Sequence, residues 1–223
     1  MTYAIETIDL TKHFGALKAN DSISLKVKEG TIHSICGENG AGKSTLMNML
    51  YGLLIPTAGS IKVFGQEVKF QTSLDAIEQK IGMVHQHFML IQNLSVAENI
   101  VLGMETGHKW KLDRKQAVKD VEKLMDQYKL KVDPNARIDE ISVGMQQRVE
   151  ILKALYRGID ILILDEPTAV LAPQEIKELF DSIRFLISQG KTVIMISHKL
   201  NEVLEISDEV SVLRLGKFIG TIS

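Results

Sequence analysis

Three things are scarce in this 223-residue chain: cysteine, an excess of charge of one sign, and long uncharged apolar runs. The single cysteine, Cys36, excludes an internal disulfide framework and fits a reducing cytosol. Because 26 lysines and arginines nearly balance 28 aspartates and glutamates, the net charge is −2. The chain therefore lacks the basic footprint of a nucleic-acid binder or of a polybasic membrane anchor.

No apolar run approaches the roughly 18 residues that would span a bilayer. The start, MTYAIETIDLTKHFG, lacks a charged region followed by a long apolar core, so we expect no signal peptide. We expect a soluble, intracellular chain that another chain would bring to any membrane at which it works. With 45% hydrophobic and 24% charged residues, the composition is typical of a globular protein with a sizeable core.

The order of apolar runs predicts the fold class. Five strands bounded by Gly, Pro or Asn turn signals are predicted over residues 4–10, 17–27, 31–36, 60–68 and 81–84. A helix predicted over 43–53 interrupts them, with an apolar stripe of Leu46, Met49, Leu50 and Leu53. From about residue 94 to 140 the pattern is helical.

Two helix starts in this helical stretch carry capping signals. Ser95 and Glu98 match a capping box, and Asp113 can cap a second helix. That second helix has an apolar stripe of Ala117, Val121, Leu124, Met125 and Tyr128. From residue 159 onward, strands over 161–164 and 192–197 flank a helix that Gly190 closes. Apolar strands that alternate with helices indicate an α/β fold, a buried parallel sheet with helices on its faces, here with a helical insertion.

Residues 37–44, GENGAGKS, fit the phosphate-loop pattern G-x-x-x-x-G-K-[ST] between a predicted strand and a predicted helix. The glycines let backbone N–H groups approach a polyphosphate without a Cβ in the way, and the helix N-terminus adds its positive dipole end. Lys43 would lie between the β- and γ-phosphates, Ser44 would bind Mg²⁺, and Thr45 would reach the α-phosphate. A chance glycine-rich turn is the alternative, which the full match in this context disfavours. The predicted ligand contacts are Gly37, Glu38, Asn39, Gly40, Ala41, Gly42, Lys43, Ser44 and Thr45.

The stretch ILILDEPT, residues 161–168, is an apolar strand that ends in two carboxylates. At the carboxyl end of a parallel strand, Asp165 would face the same crevice as the phosphate loop and could hold Mg²⁺. Glu166 could orient the attacking water. The alternative is a solvated Asp-Glu pair. His198 follows the next strand; a lone histidine is usually structural, but this position favours contact with a γ-phosphate.

A second anion site is predicted in ISVGMQQRVEIL, residues 141–152. Ser142 and Gly144 lie at the start of a helix, where a phosphate oxygen can accept hydrogen bonds from backbone N–H groups. A plain helix N-cap is the commoner use of such a serine.

Taken in order, these segments resemble the nucleotide-binding domain of the ATP-binding cassette (ABC) family. GENGAGKST is similar to its Walker A motif, SVGMQQR to its signature motif and LILDEPT to Walker B. Gln86 in MVHQHF resembles the Q-loop, and ISH, ending at His198, resembles the H-loop. Phe14 matches the aromatic residue that stacks on adenine, although a buried core aromatic is a live alternative.

The resemblance implies a P-loop NTPase core with a parallel sheet, an antiparallel β portion and an inserted helical subdomain. We expect a single domain over 1–223, with the core in 1–88 and 141–223 and the helical subdomain in about 89–140. ATP and Mg²⁺ would be the cofactors, with Ser44, Gln86 and Asp165 at the metal. Glu166, His198 and Lys43 would be catalytic. In a head-to-tail dimer, ATP would lie between Lys43 of one cassette and Ser142 to Gly144 of the other.

Within the family, HQHFML, LSVAENIVLG and DEPTAVLAPQE most resemble ATPases of simple-sugar and nucleoside importers. Those ATPases commonly carry two cassettes in one chain, so we expect an N-terminal half produced as a fragment or, less so, a complete single-cassette subunit. The implied function is ATP hydrolysis that powers solute uptake at the cytoplasmic face of the cell membrane. The implied partners are permease subunits, a second cassette and, indirectly, an extracellular solute-binding protein, with no nucleic acid.

Alternatives stay open at the level of sequence. The chain could be an ATP-gated binding half of a tandem cassette, since Ala172 stands where the family's D-loop usually has an aspartate. The ATPase of an exporter is another alternative for the function of the chain. A chromosomal ATPase is disfavoured because the helical segment is too short for a long coiled coil. His85 and His87 flank Gln86, but no third ligand for a metal is evident beside them.

Overall fold

The computed structural model describes residues 2–104, 107–108 and 111–223. The helices are α1 (Lys43–Leu50), α2 (Ser73–Glu78), α3 (Val96–Val101), α4 (Arg114–Tyr128), α5 (Val143–Tyr156), α6 (Pro173–Ser188) and α7 (Leu200–Ile206), with a 3₁₀ turn at Ile138–Glu140. The strands are β1 (Tyr3–Phe14), β2 (Leu17–Ile23), β3 (Lys26–Lys28), β4 (Ile32–Cys36), β5 (Ala58–Val63), β6 (Gln66–Val68), β7 (Ile81–Val84), β8 (Gly107–His108), β9 (Lys111–Leu112), β10 (Ile161–Asp165), β11 (Thr192–Ile196), β12 (Glu209–Arg214) and β13 (Lys217–Ile222).

The two larger β-sheets contain six and five strands. The larger has the order β13-β12-β4-β11-β10-β7 and is parallel except for the antiparallel β12–β13 pair. The second sheet is antiparallel, with the order β2-β1-β5-β6 and β3 paired to β1. The predicted α/β fold, with its parallel sheet and antiparallel β portion, is confirmed.

The apolar strands are buried because both faces of the parallel sheet are covered. In β10, Leu162 and Leu164 belong to a cluster shared with the helices α3 to α6. Ile161 and Ile163 point the other way, into a cluster built with α1 and the antiparallel sheet. Successive strand residues face opposite sides, so an unbroken apolar run is what a doubly covered strand requires.

The structure confirms both predicted caps in the helical stretch. Ser95 accepts a hydrogen bond from Glu98 N at 3.2 Å while Ser95 N donates to Glu98 Oε2 at 2.9 Å. Asp113 Oδ1 accepts from Gln116 N at 3.0 Å. In the part of the chain that the structure describes, no helix combines the length and the apolar character needed to cross a bilayer. The boundaries 88/89 and 140/141 of the helical subdomain stay a prediction.

Several predicted element boundaries were wrong, among them the end of the strand predicted over 4–10, which continues to Phe14. The helix predicted over 43–53 ends at Leu50, because Gly52 adopts φ +74° where a Cβ would lie 2.3 Å from Thr72 O, and Leu53 is exposed. The strand predicted over 60–68 contains a turn, with positive φ at Phe64 and Gly65 as a tight hairpin requires. The strand predicted over 17–27 is divided between β2 and β3, and the short helix α2 was missed.

A buried histidine makes the stability of the fold sensitive to pH. The ring of His33, on β4, is fully buried; its Nε2 lies 2.8 Å from Ser211 Oγ. Its Nδ1 is 3.6 Å from Glu209 Oε2, beyond normal hydrogen-bond distance. Burial lowers the pKa of His33, which outweighs the opposite effect of Glu209. Burial also lowers the pKa of His85.

Acidification from pH 7 to pH 5.5 is therefore expected to lower the free energy of unfolding. A histidine with a lowered pKa in the folded state binds its proton more readily when unfolded, so stability falls as pH drops below about 6.5. Urea denaturation at both pH values measures this change in the free energy of unfolding, that is, the slope of stability against pH. The variant His33→Gln should have a flatter slope than the parent. The variant His85→Gln shows how much of the slope comes from His85. An unchanged slope in His33→Gln would assign the effect to other groups.

Candidate functional site

The predicted site residues gather at one edge of the parallel sheet. The strand β4 ends at Cys36, immediately before the phosphate loop, and the register pairs Asp165 of β10 with Ile196 of β11, which pairs with Ile35 of β4. The carboxyl ends of these three neighbouring strands therefore lie side by side. This edge is where ligands bind in open parallel sheets.

Two glycines of the phosphate loop adopt conformations that other residues avoid. Gly40 has φ +80° and Gly42 has φ +97°. A Cβ at Gly42 would also lie 2.4 Å from Ala19 O and 2.6 Å from Asn20 Nδ2. Asn20, a buried residue of β2, donates a hydrogen bond to Gly42 O at 3.2 Å. The loop is thus seated against β2, a contact that the motif alone did not predict.

Gly37 is needed for a different reason. Its φ is not in the positive region, yet a Cβ there would lie 2.3 Å from Leu213 O on β12. Close packing against β12, rather than a special backbone angle, explains this glycine.

The ammonium group of Lys43 lies inside the curve of the loop. Its Nζ donates to Gly37 O at 2.7 Å and to Glu38 O at 2.9 Å, and the residue is only 6% exposed. An ammonium carries three donors, so a donor beyond these two contacts can reach a phosphate oxygen. The loop therefore presents backbone N–H groups and one positive charge to the same space.

Glu166 is the centre of a polar cluster opposite the loop. His198 Nδ1 lies 3.0 Å from Glu166 Oε1, and Gln86 Nε2 donates to Glu166 Oε2 at 3.5 Å. Glu166 has φ +47°, a conformation that is costly for a residue other than glycine and that is often found at functional sites. The structure brings together Gln86, Glu166 and His198, which lie far apart in the sequence.

Asp165, the last residue of β10, is partly buried at the edge of the sheet. Burial raises the pKa of Asp165, the neighbouring Glu166 adds to this rise, and a hydrogen bond with Ser44 and the charge of Lys43 oppose it. A hydroxyl and a carboxylate side by side suit Mg²⁺, which is usually held by one or two carboxylates together with substrate phosphates. A cation would also offset the cost of a charged carboxylate here.

A cavity of about 740 Å³ extends from the phosphate loop toward β2. Nine of the predicted residues line it: Phe14, Asn39, Gly40, Gly42, Lys43, Ser44, Thr45, Gln86 and Glu166. Phe14 is 47% exposed, so the alternative of a buried core aromatic was wrong. Five further residues that were not predicted for the site also line the cavity: Leu17, Lys18, Ala19, Leu215 and Gly216.

Ser142 and Gly144 do not line this cavity. Ser142 caps α5 by accepting a hydrogen bond from Met145 N at 3.3 Å. The Ser142 hydroxyl and Gly144 N both donate to Glu175 Oε1, each at 3.2 Å, and a Cβ on Gly144 would lie 2.5 Å from that oxygen. The start of α5 thus binds an anion, but the anion is a carboxylate of this chain.

Glu175 belongs to the first turn of α6, where its Oε2 also accepts from Ala172 N at 3.1 Å. The hydrogen bond from Ala172 N lowers the pKa of Glu175 most, and those from Gly144 N and Ser142 act in the same direction. Glu175 was not among the residues predicted for the site. Its one signal was its position three residues after a helix start, where a glutamate commonly caps.

The chain is similar in sequence to known ATP-binding proteins, in agreement with the phosphate loop described above. The family model described as "ABC transporter" matches residues 20–169. The chain is 52% identical over 218 residues to the nucleoside import ATP-binding protein NupA of Lactococcus lactis subsp. cremoris, covering 98% of this chain and 43% of that protein. It is 53% identical over 222 residues to the guanosine import ATP-binding protein NupO of Bacillus subtilis, covering 100% of this chain and 44% of that protein. The chain therefore spans less than half the length of these curated relatives.

Solved structures resemble the whole chain. A nucleotide-free ATP-binding cassette from an ABC transporter has a TM-score of 0.89 and 27% identity, with 99% of this chain and 91% of that chain covered. A dimeric ATP-binding cassette in a post-hydrolysis state, bound to ADP and Pi, has a TM-score of 0.81 and 26% identity, with 98% of each chain covered.

Proposed function

Because this chain belongs to the ABC transporter family, we propose that it binds and hydrolyses ATP to power the uptake of a small solute through a membrane permease. The observation that carries the proposal is the cluster of Glu166, His198 and Gln86 beside the phosphate loop. Phosphoryl transfer needs little covalent chemistry from a protein, so positioning and charge neutralisation are what such a site must provide.

Each group has a distinct proposed task. The loop N–H groups and Lys43 hold the phosphates and neutralise their charge. The Glu166 carboxylate accepts a hydrogen bond from the attacking water and holds it in line with the γ-phosphate. His198 and Gln86 fix the orientation of that carboxylate through their contacts with its two oxygens.

The proposed cofactors are ATP and Mg²⁺. Ser44, Asp165 and Gln86 would hold the metal together with the phosphates, and Mg²⁺ would supply neutralisation of the phosphate charge. Phe14, which also lines the cavity, would stack on the adenine.

The solute is proposed from the relatives. Both proteins named above are import ATP-binding proteins, one for nucleosides and one for guanosine, which favours import over export and a nucleoside as the solute. The proposed partners are permease subunits, a second cassette and, indirectly, an extracellular solute-binding protein. The chain would then work at the cytoplasmic face of the membrane.

The second cassette gives Ser142 and Gly144 their proposed task. A dimer of the related cassette is bound to ADP and Pi, which supports a composite site between two cassettes. The start of α5 would bind a phosphate held by the partner's loop. Glu175 occupies that position here, so its carboxylate must move away before a partner's phosphate can take its place.

Sedimentation of the Glu166→Gln variant tests this proposal. We expect a shift from monomer to dimer only when ATP and Mg²⁺ are both present, because slow hydrolysis keeps the bridging nucleotide in place. Adding Ser142→Ala should weaken this association by roughly 100-fold, because one hydrogen bond to a charged group is worth about 1.5 kcal/mol and the dimer of identical chains would contain two such sites. Ser188→Ala, an exposed serine bonded within its own helix, is the control. A variant that binds ATP yet never pairs would contradict self-association and require a different second cassette.

A further inference from the structure

We propose that Leu215 is a specificity-determining residue of the nucleotide site, where it forms an apolar wall against the nucleobase together with Leu17 and Phe14. This inference rests on the proposed function, because it assumes that the cavity holds a nucleotide. It adds a contact on the β12–β13 turn, far in sequence from the phosphate loop and from Phe14.

The first observation is that leucine is a costly residue at this position. Leu215 and Gly216 join β12 to β13 in a tight hairpin, with Arg214 paired to Lys217. Both turn residues have positive φ, +48° at Leu215 and +75° at Gly216, as the favoured two-residue hairpin turns require. Glycine or asparagine adopts this conformation with less strain than leucine does. Leu215 is also 80% exposed, so its side chain adds little to the core.

The second observation is that the turn is held in place from two sides. Gly216 N donates to Ala41 O of the phosphate loop at 3.1 Å, and Asp21 N donates to Gly216 O at 2.8 Å. A Cβ on Gly216 would come within 2.9 Å of Ala19 O, so the turn also packs closely on β2. Leu215 therefore has a fixed position relative to the loop that would hold the phosphates.

The third observation is that other exposed apolar side chains line the same cavity as Leu215. Three large apolar side chains that line the cavity are strongly exposed: Phe14 at 47%, Leu17 at 66% and Leu215 at 80%. Grouped exposed apolar side chains mark a binding site more often than isolated ones do. The same cavity is also lined by Lys43 and Ser44. A cavity lined by apolar side chains and by phosphate-binding groups matches a ligand with a flat base and a charged tail.

The test compares ATP with inorganic tripolyphosphate, which has the charged tail but no base. The variant Leu215→Gly should raise the Kd for ATP by roughly tenfold, as expected when most of a leucine contact is lost. Its Kd for tripolyphosphate should stay unchanged. Its denaturation midpoint should be unchanged or higher, because glycine relieves the strain at positive φ. Leu215→Met should bind ATP like the parent, since it keeps the apolar contact.

Leu204→Ala is the matched control, since Leu204 is a leucine on α7 that is 63% exposed and does not line the cavity. Isothermal titration of the whole chain in the presence of Mg²⁺ measures all of these affinities. Parent-like ATP affinity in Leu215→Gly would overturn the inference. Equal weakening for ATP and tripolyphosphate would also overturn it, because the turn would then act through the phosphate loop. A parent chain that binds neither ligand would overturn the proposed function as well.

Discussion

Replacing Glu166 by glutamine is expected to lower the ATP turnover of this chain by at least about 100-fold while leaving its affinity for ATP within about twofold. The amide keeps the size of the side chain, and it can still contact Gln86 and His198. It cannot accept a proton from water as a carboxylate does, and it carries no negative charge to orient that water. Binding should survive because, in the proposed function, the loop and Lys43 would hold the phosphates; Lys43 begins α1, whereas Glu166 follows β10.

Phosphate release in a steady-state assay measures turnover, and titration with ATP measures affinity. Both chains are assayed at a protein concentration at which the parent measurably hydrolyses ATP and releases phosphate. Glu205→Gln, which removes a charge from an exposed position on α7, is the matched control and should behave like the parent. If Glu166→Gln hydrolysed ATP at the rate of the parent, the role proposed for this carboxylate would be wrong.

Replacing Gly42 by alanine is expected to lower the free energy of unfolding by about 2 kcal/mol or more and to weaken ATP binding by at least about tenfold. Two costs add at this position. The alanine must adopt φ +97°, and its Cβ would lie 2.4 Å from the backbone oxygen of Ala19, which cannot rotate away as a side chain could. Either the loop or β2 must shift, and a shifted loop no longer directs its N–H groups at the phosphates.

Gly190→Ala separates the two costs. Gly190 has φ +80°, but a Cβ there would meet nothing within 4 Å, and it lies after α6, outside the cavity. This control should lose only about 1 kcal/mol of stability, with no change in ATP affinity. Urea denaturation and ATP titration of both variants give the comparison. If Gly42→Ala lost no more stability than Gly190→Ala, the close contact with β2 would not constrain the loop.

Much of the site was predictable from short segments of sequence. The spacing of glycines before Lys43 and Ser44 marks the phosphate loop, because the residues that form it are neighbours along the chain. The apolar run before Asp165 predicts a buried strand, and a buried parallel strand directs whatever follows it to one edge of the sheet. Caps such as Ser95 with Glu98 are equally local, and they were confirmed.

Short or exposed elements were harder to predict. The helix α2 spans six residues and buries only Ala76, so it has almost no apolar periodicity to reveal it. The hairpin at Phe64 was read as continuous strand because a phenylalanine is an unusual residue at positive φ.

The amino-acid sequence was enough to predict the family resemblance, the α/β fold class and the residues of the phosphate loop and of the strand ends, since each depends on a local pattern. It did not predict which distant segments contact one another in the folded chain. Glu166 contacts Gln86 across 80 positions of sequence and His198 across 32. Gly42 is packed against β2, Leu215 reaches the cavity from the last hairpin, and Glu175 occupies the anion position at the start of α5. The physical reason is that these contacts depend on how whole elements pack, and no periodicity within one segment encodes the position of another.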